Sequence, residues 1–175
     1  AFHLDIPAGV TSIDVQFQQL TQPDSSNWRV LMTPAMVNLQ WEKAILYPAG
    51  YFVRRILVEP SVKLPAAWKA ATALEPATQE GATVRYRPVP FETLMDSPVF
   101  AGANVRVETL APGVRLNIVA DRPEQLEATE EQIGWHRNLV TQAVKLFGAQ
   151  HYDHYDFLLA LSDRQGTIGL EHHRS

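Results

Sequence analysis

Residues 129–148 read TEEQIGWHRNLVTQAVKLFG, and their periodicity decides how the rest of the chain divides. Thr129 followed by Gln132 fits a capping box, in which each side chain satisfies the other residue's backbone amide. Ile133, Val140, Val144 and Phe147, with Leu139, Ala143 and Leu146 beside them, form an apolar stripe at helical spacing. Gly148 stands where a helix would end. The spacing therefore predicts a helix over 129–147. Before Arg122-Pro123 most candidate elements repeat instead with period two. Strands followed by helix mean either an α+β chain or the junction of two domains. We adopt the junction, with one domain over 1–122 and the start of another over 123–175.

Working back from the helix, Asn104–Leu110 and Val114–Asp121 bracket Ala111-Pro112-Gly113, a hairpin signature. Phe91–Met95 fits one helical turn, broken by Asp96-Ser97-Pro98, which reads as a turn. Alternation predicts strands at Phe2–Ile6 and Ser12–Gln18, and Trp28–Met32, Ala44–Tyr47 and Thr83–Arg87 are further strand candidates. Residues 53–63 are also β-rich, with Pro60 confined to an edge or bulge. Leu64–Leu74 is open between helix, favoured by its alanines, and strand, favoured by its neighbours. The four tryptophans, Trp28, Trp41, Trp68 and Trp135, are expected in the core or between layers. Beyond the helix, Tyr155–Leu161 is an apolar strand, followed by a turn over 162–166 and an extended segment over 168–175.

Composition removes several classes of function. The chain has 175 residues, 46% hydrophobic and 19% charged, which is ordinary for a globular protein and wrong for a disordered one. A net charge of −4 gives no electrostatic basis for binding nucleic acid. No apolar run approaches the ~20 residues of a transmembrane helix, so membrane insertion is not expected. The absence of cysteine excludes disulfides and thiolate chemistry. The chain opens on Ala1 without a signal pattern, so its start reads as trimmed or processed.

Five of the six histidines, His136, His151, His154, His172 and His173, fall in the last quarter of the chain. His151-Tyr152-Asp153-His154-Tyr155-Asp156 offers donors that zinc accepts. On a strand, however, His151 and Asp153 face one way while His154 and Asp156 face the other. At most two ligands then share a face, and no metal site is expected within the chain. There is no H-E-x-x-H zinc motif, no G-x-S-x-G elbow and no glycine-rich phosphate loop.

Several stretches, taken in order, resemble the glycyl aminopeptidase family of zinc metallopeptidases, relatives of the thermolysin-like aminopeptidases. They are Leu46–Gly50, Leu64–Leu74, Leu94–Gly102, Tyr155–Asp163 and Gly169-Leu170-Glu171-His172. The resemblance implies a mainly β chain: an antiparallel β-sandwich N-terminal domain, then the first helix and strands of a truncated α+β thermolysin-like catalytic domain. It also implies a strand at Leu64–Leu74. In related aminopeptidases a Gly-x-Met-Glu-Asn strand lines the cleft, and its glutamate binds the substrate's free α-amino group. Glu171 would be that anchor, with Gly169, Leu170 and His172 completing a peptide-binding segment; the usual glycine is replaced by Ile168.

The family's catalytic residues and zinc ligands would lie beyond this motif. The expectation is thus a zinc aminopeptidase fragment, inactive alone and holding no zinc itself, whose whole protein releases Gly or Ala from peptides. A periplasmic or secreted location is implied by the family alone. Two other readings remain open: a non-catalytic β-sandwich binding module, and a local metal site at His151–Asp156.

Overall fold

The computed structural model describes residues 2–21, 31–165 and 169–172. Among these the chain is mainly β, with few helices. The strands are β1 (Leu31–Met32), β2 (Met36–Leu39), β3 (Leu57–Val58), β4 (Ser61–Lys63), β5 (Lys69–Ala71) and β6 (Pro76–Glu80). They continue as β7 (Thr83–Tyr86), β8 (Val89–Pro90), β9 (Val99–Gly102), β10 (Asn104–Ala111), β11 (Val114–Ala120) and β12 (Tyr155–Leu161). Two α-helices are described, α1 (Phe91–Met95) and α2 (Glu130–Phe147).

Among the described residues four sheets form, in the orders β1-β2-β9-β5, β10-β11-β12, β3-β8 and β4-β7-β6. All pairings are antiparallel except β11 with β12, which run parallel in register from Val114↔Tyr155 to Ala120↔Leu161. Parallel neighbours need a long crossover, and α2 supplies it. The pairing therefore spans Arg122-Pro123, the point at which the sequence periodicity changes.

Alternation on β11 divides its side chains between two layers. Val114, Leu116 and Ile118 pack with Leu110 against Ile133 and Val140 of α2. On the opposite face Val119, joined by Val105, Leu158 and Ala160, meets Leu31, Met36, Ala71 and Phe100 of the β1-β2-β9-β5 sheet. The approach there is close. A Cβ on Gly102 would stand 2.8 Å from both the Ala35 carbonyl and Val119 Cγ1. A third core joins Trp41, Leu74, Tyr86, Leu94 and Val99, tying the first sheet to α1 and the smaller sheets.

The predicted helix is present with its caps. The Thr129 amide donates to Gln132 Oε1 (2.8 Å), and the Gln132 amide donates to Thr129 Oγ1 (3.2 Å). Gly148, at φ 70°, ends the helix in the left-handed region, and its amide reaches the Val144 carbonyl. The β10–β11 hairpin, the turn of α1 and β12 also form as expected. Leu64–Leu74 contains β5, paired with β9, preceded by a turn at Ala66-Ala67. Pro60 is buried between β3 and β4, where its carbonyl accepts from the Tyr86 amide.

Some expectations require correction. Phe2–Ile6 and Ser12–Gln18 form no strand, and their apolar residues are exposed, Phe2 by 83%. Alternation fits a segment for a sheet, but a strand forms only where another strand completes its hydrogen bonds. Ala44–Tyr47 is likewise irregular, following a single 3-10 turn at Trp41–Lys43. Trp41 is buried and Trp68 half-buried, but Trp135 is 60% exposed, because its position on α2 points away from Ile133 and Val140. Leu139, Val144, Leu146 and Phe147 are also exposed, so of the helical stripe only Ile133 and Val140 are buried, with Ala143 half-buried. Trp28 and most of its predicted strand lie outside the described residues, as do Gly166–Ile168 and His173–Ser175.

Candidate functional site

The last described segment, Gly169-Leu170-Glu171-His172, lies beside the end of α1. Phe91 and Leu94 bury the inner side of that helix, and Asp96 closes it, its amide donating to the Thr93 carbonyl (3.1 Å). Ser97 is buried: its hydroxyl donates to the Thr93 carbonyl (2.7 Å), and its own carbonyl accepts from Trp41 Nε1 (2.8 Å). Pro98 and Val99 are buried as well. Asp96 is thus carried on a turn whose following residues cannot move without opening the core.

From that turn Asp96 Oδ1 meets His172 Nδ1 at 3.0 Å, with side-chain exposures of 20% and 23%. A carboxylate can only accept, so Nδ1 carries the proton and donates. Glu171, in contrast, is exposed, and so are Gly169 and Leu170. The segment therefore turns one neighbouring side chain toward the body of the molecule and the other toward solvent. Glu171, Gly169, Leu170 and His172 are all adjacent in space by chain connection. Asp96 joins them from 76 residues away, and nothing in its local sequence distinguishes it from an ordinary turn residue.

The histidine-rich stretch before β12 has a different use. Asp156 has a fully buried side chain. It accepts from Arg115 Nε (2.8 Å), Arg115 Nη2 (2.9 Å) and Asn117 Nδ2 (2.9 Å), while His154 Nδ1 stands 3.2 Å away. The hydrogen bond to Asp156 raises the Arg115 pKa above its ordinary value. Arg115, Asn117 and Asp156 meet because β11 and β12 place Arg115 opposite Asp156 on one face. Asp156 is saturated by this pairing, and His151 and Asp153 are exposed. Among the described residues no three His, Cys, Asp or Glu side chains gather as metal ligands.

Next to this cluster an open cavity of about 650 Å³ runs between β5 and the β4-β7-β6 sheet, with Trp68, Gln79, Tyr86, Arg115 and Asn117 among its walls. Tyr86 is buried, its hydroxyl has no hydrogen-bond partner among the described residues, and burial pushes its pKa up to about 12.

A family model described as the peptidase M61 N-terminal domain matches residues 1–103, more than half of the chain. No curated protein matches. Among solved structures, an aminopeptidase N family protein from Idiomarina loihiensis is similar in fold, with a TM-score of 0.65 and 19% sequence identity. The match covers 82% of this chain and 24% of that one, so the chain corresponds to about a quarter of that protein's length.

Proposed function

This chain belongs to the peptidase M61 N-terminal domain family, and from that premise we propose that it forms the amine-recognition side of a zinc aminopeptidase. Glu171 is the anchor for the free α-amino group of a peptide substrate. Gly169 and Leu170 present backbone to the peptide, and His172 sets the segment against α1. The observation that carries this reading is the exposed Glu171 carboxylate standing next to the Asp96–His172 pair. The fold likeness to an aminopeptidase N family protein supports it.

The chemistry is simple. A carboxylate facing an ammonium in a partly dry cleft makes a short, charge-assisted hydrogen bond, about twice as strong as a neutral one. Anchoring the amine also acts as a ruler. The first peptide bond then lies at a fixed distance from the anchor, and reaction at that bond is favoured over bonds further along. The zinc ligands and the general base belong, on this reading, to an H-E-x-x-H segment outside these residues. Small first residues, Gly or Ala, are the proposed substrates.

The stacking of β1-β2-β9-β5 on β10-β11-β12 supports a β-sandwich-like body. The family match ends at residue 103, and β10, β11, α2 and β12 share one sheet and one core. We therefore place the start of the catalytic domain near Asn104.

Assays of the extended protein with aminoacyl-chromophore substrates test the reading. Zinc-dependent release of Gly or Ala is expected, abolished by chelation and restored by zinc. Absence of hydrolysis, with tight peptide binding by the present chain alone, would instead establish a binding module.

A further inference from the structure

Glu171 and His172 are chain neighbours that the segment turns to different sides, Glu171 exposed and His172 half-buried. Whatever holds His172 therefore also sets the direction of Glu171. The holder is Asp96. We propose that Asp96 is a positioning residue for Glu171, its carboxylate receiving Nδ1–H of His172 so that the neighbouring glutamate faces the substrate's amine.

Three observations carry the assignment. The contact is 3.0 Å and links residues 76 apart in sequence, so it is a tertiary tether and not a local turn. Both side chains are mostly covered, at 20% and 23% exposure, while Glu171 between His172 and Leu170 is open. The base of the tether is fixed, since Ser97 is buried and held by Thr93 and Trp41. A mobile surface aspartate could pair with a histidine without positioning anything; this one transmits the rigidity of α1 and its core to the recognition segment. The Nδ1–H bond also sets the ring's tautomer, leaving Nε2 as the acceptor in the neutral imidazole.

The proposal rests on Glu171 being the amine anchor, and two measurements separate the two claims. The first is the ¹⁵N shift pattern of the His172 ring in the full-length protein. The Nδ1-protonated tautomer is expected in the native protein and in Asp96→Asn, whose amide oxygen still accepts, and its loss is expected in Asp96→Ala. A pattern unchanged in Asp96→Ala would overturn the tether.

The second is steady-state kinetics on a free-amine glycyl substrate. Asp96→Ala should raise KM by roughly tenfold with kcat changed by no more than about twofold, and Asp96→Asn should recover most of the loss. Asp96→Ala combined with Glu171→Gln should be no worse than Glu171→Gln alone, because both remove the same interaction. Additive losses, or no rescue by asparagine, would overturn the positioning role. An unchanged KM in Glu171→Gln alone would overturn the amine-anchor reading, with the tautomer result still reporting on the tether.

Discussion

Tyr86 offers the clearest prediction at the scale of one residue. Its hydroxyl is buried without a partner among the described residues, and its pKa is pushed up to about 12 by burial. A folded-state pKa above the unfolded value of about 10 means the protonated phenol is favoured by folding. That contribution is fully present below about pH 10 and is lost as pH rises toward about 12. The loss amounts to at most about 3 kcal/mol, at about 1.4 kcal/mol per pKa unit. Tyr86→Phe should leave the urea midpoint at pH 7 unchanged or raised, and flatten its decline above pH 10. A lowered midpoint at pH 7 would mean that the hydroxyl is satisfied after all. Residue-level chemistry was unevenly legible in the sequence. Gly169–His172 carries its own motif, whereas Asp96 sits in an Asp-Ser-Pro turn that composition explains fully. Only the folded chain brings Asp96 to His172. The reverse holds for His154 and Asp156, whose chemistry suggested metal until Arg115 and Asn117 claimed the carboxylate.

Among the elements, α2 was the most legible because its signals are local: a capping box, a stripe and a terminal glycine. Thr129→Ala removes one of the reciprocal cap bonds and should cost about 1 kcal/mol. Ile133→Ala opens the core shared with Leu116 and Ile118 and should cost about 2–5 kcal/mol. Urea titration with an unchanged slope measures both, and near-equal effects would contradict the packing described for α2. The strands were less legible. The β10–β11 hairpin announced itself through Ala111-Pro112-Gly113, where Gly113 takes φ 73° and a Cβ would approach the Asp153 carbonyl to 2.8 Å. Ser12–Gln18 alternates as well as β10 does, yet remains exposed. A strand is specified by its neighbour as much as by its own pattern. Tryptophan burial was equally contextual: Trp41 finds the Ser97 carbonyl, and Trp135 rides the outer side of α2.

At the scale of the molecule, the proposed function depends on holding the β1-β2-β9-β5 sheet, with α1 beyond it, against the β10-β11-β12 sheet that precedes residues 169–172. Gly102 marks a close approach between the two sheets. Gly102→Ala should destabilise the chain by about 1–3 kcal/mol, since backbone at Ala35 and the Val119 side chain must both give way. Polar groups tie the same seam: Asp121 accepts from Thr33 of the β1–β2 turn and from Ser162 after β12. The sequence marked a change of character near Arg122-Pro123, but it gave no sign that β11 pairs across that point, because a parallel partner 41 residues on leaves no local trace. The most direct test of the account is the KM of the extended protein, assayed with zinc, for a glycyl peptide, free or acetylated at its amino end, before and after Glu171→Gln. The account predicts a strong preference for the free amine, lost in Glu171→Gln through a rise in KM of about tenfold or more. An unchanged KM and an unchanged preference would contradict it.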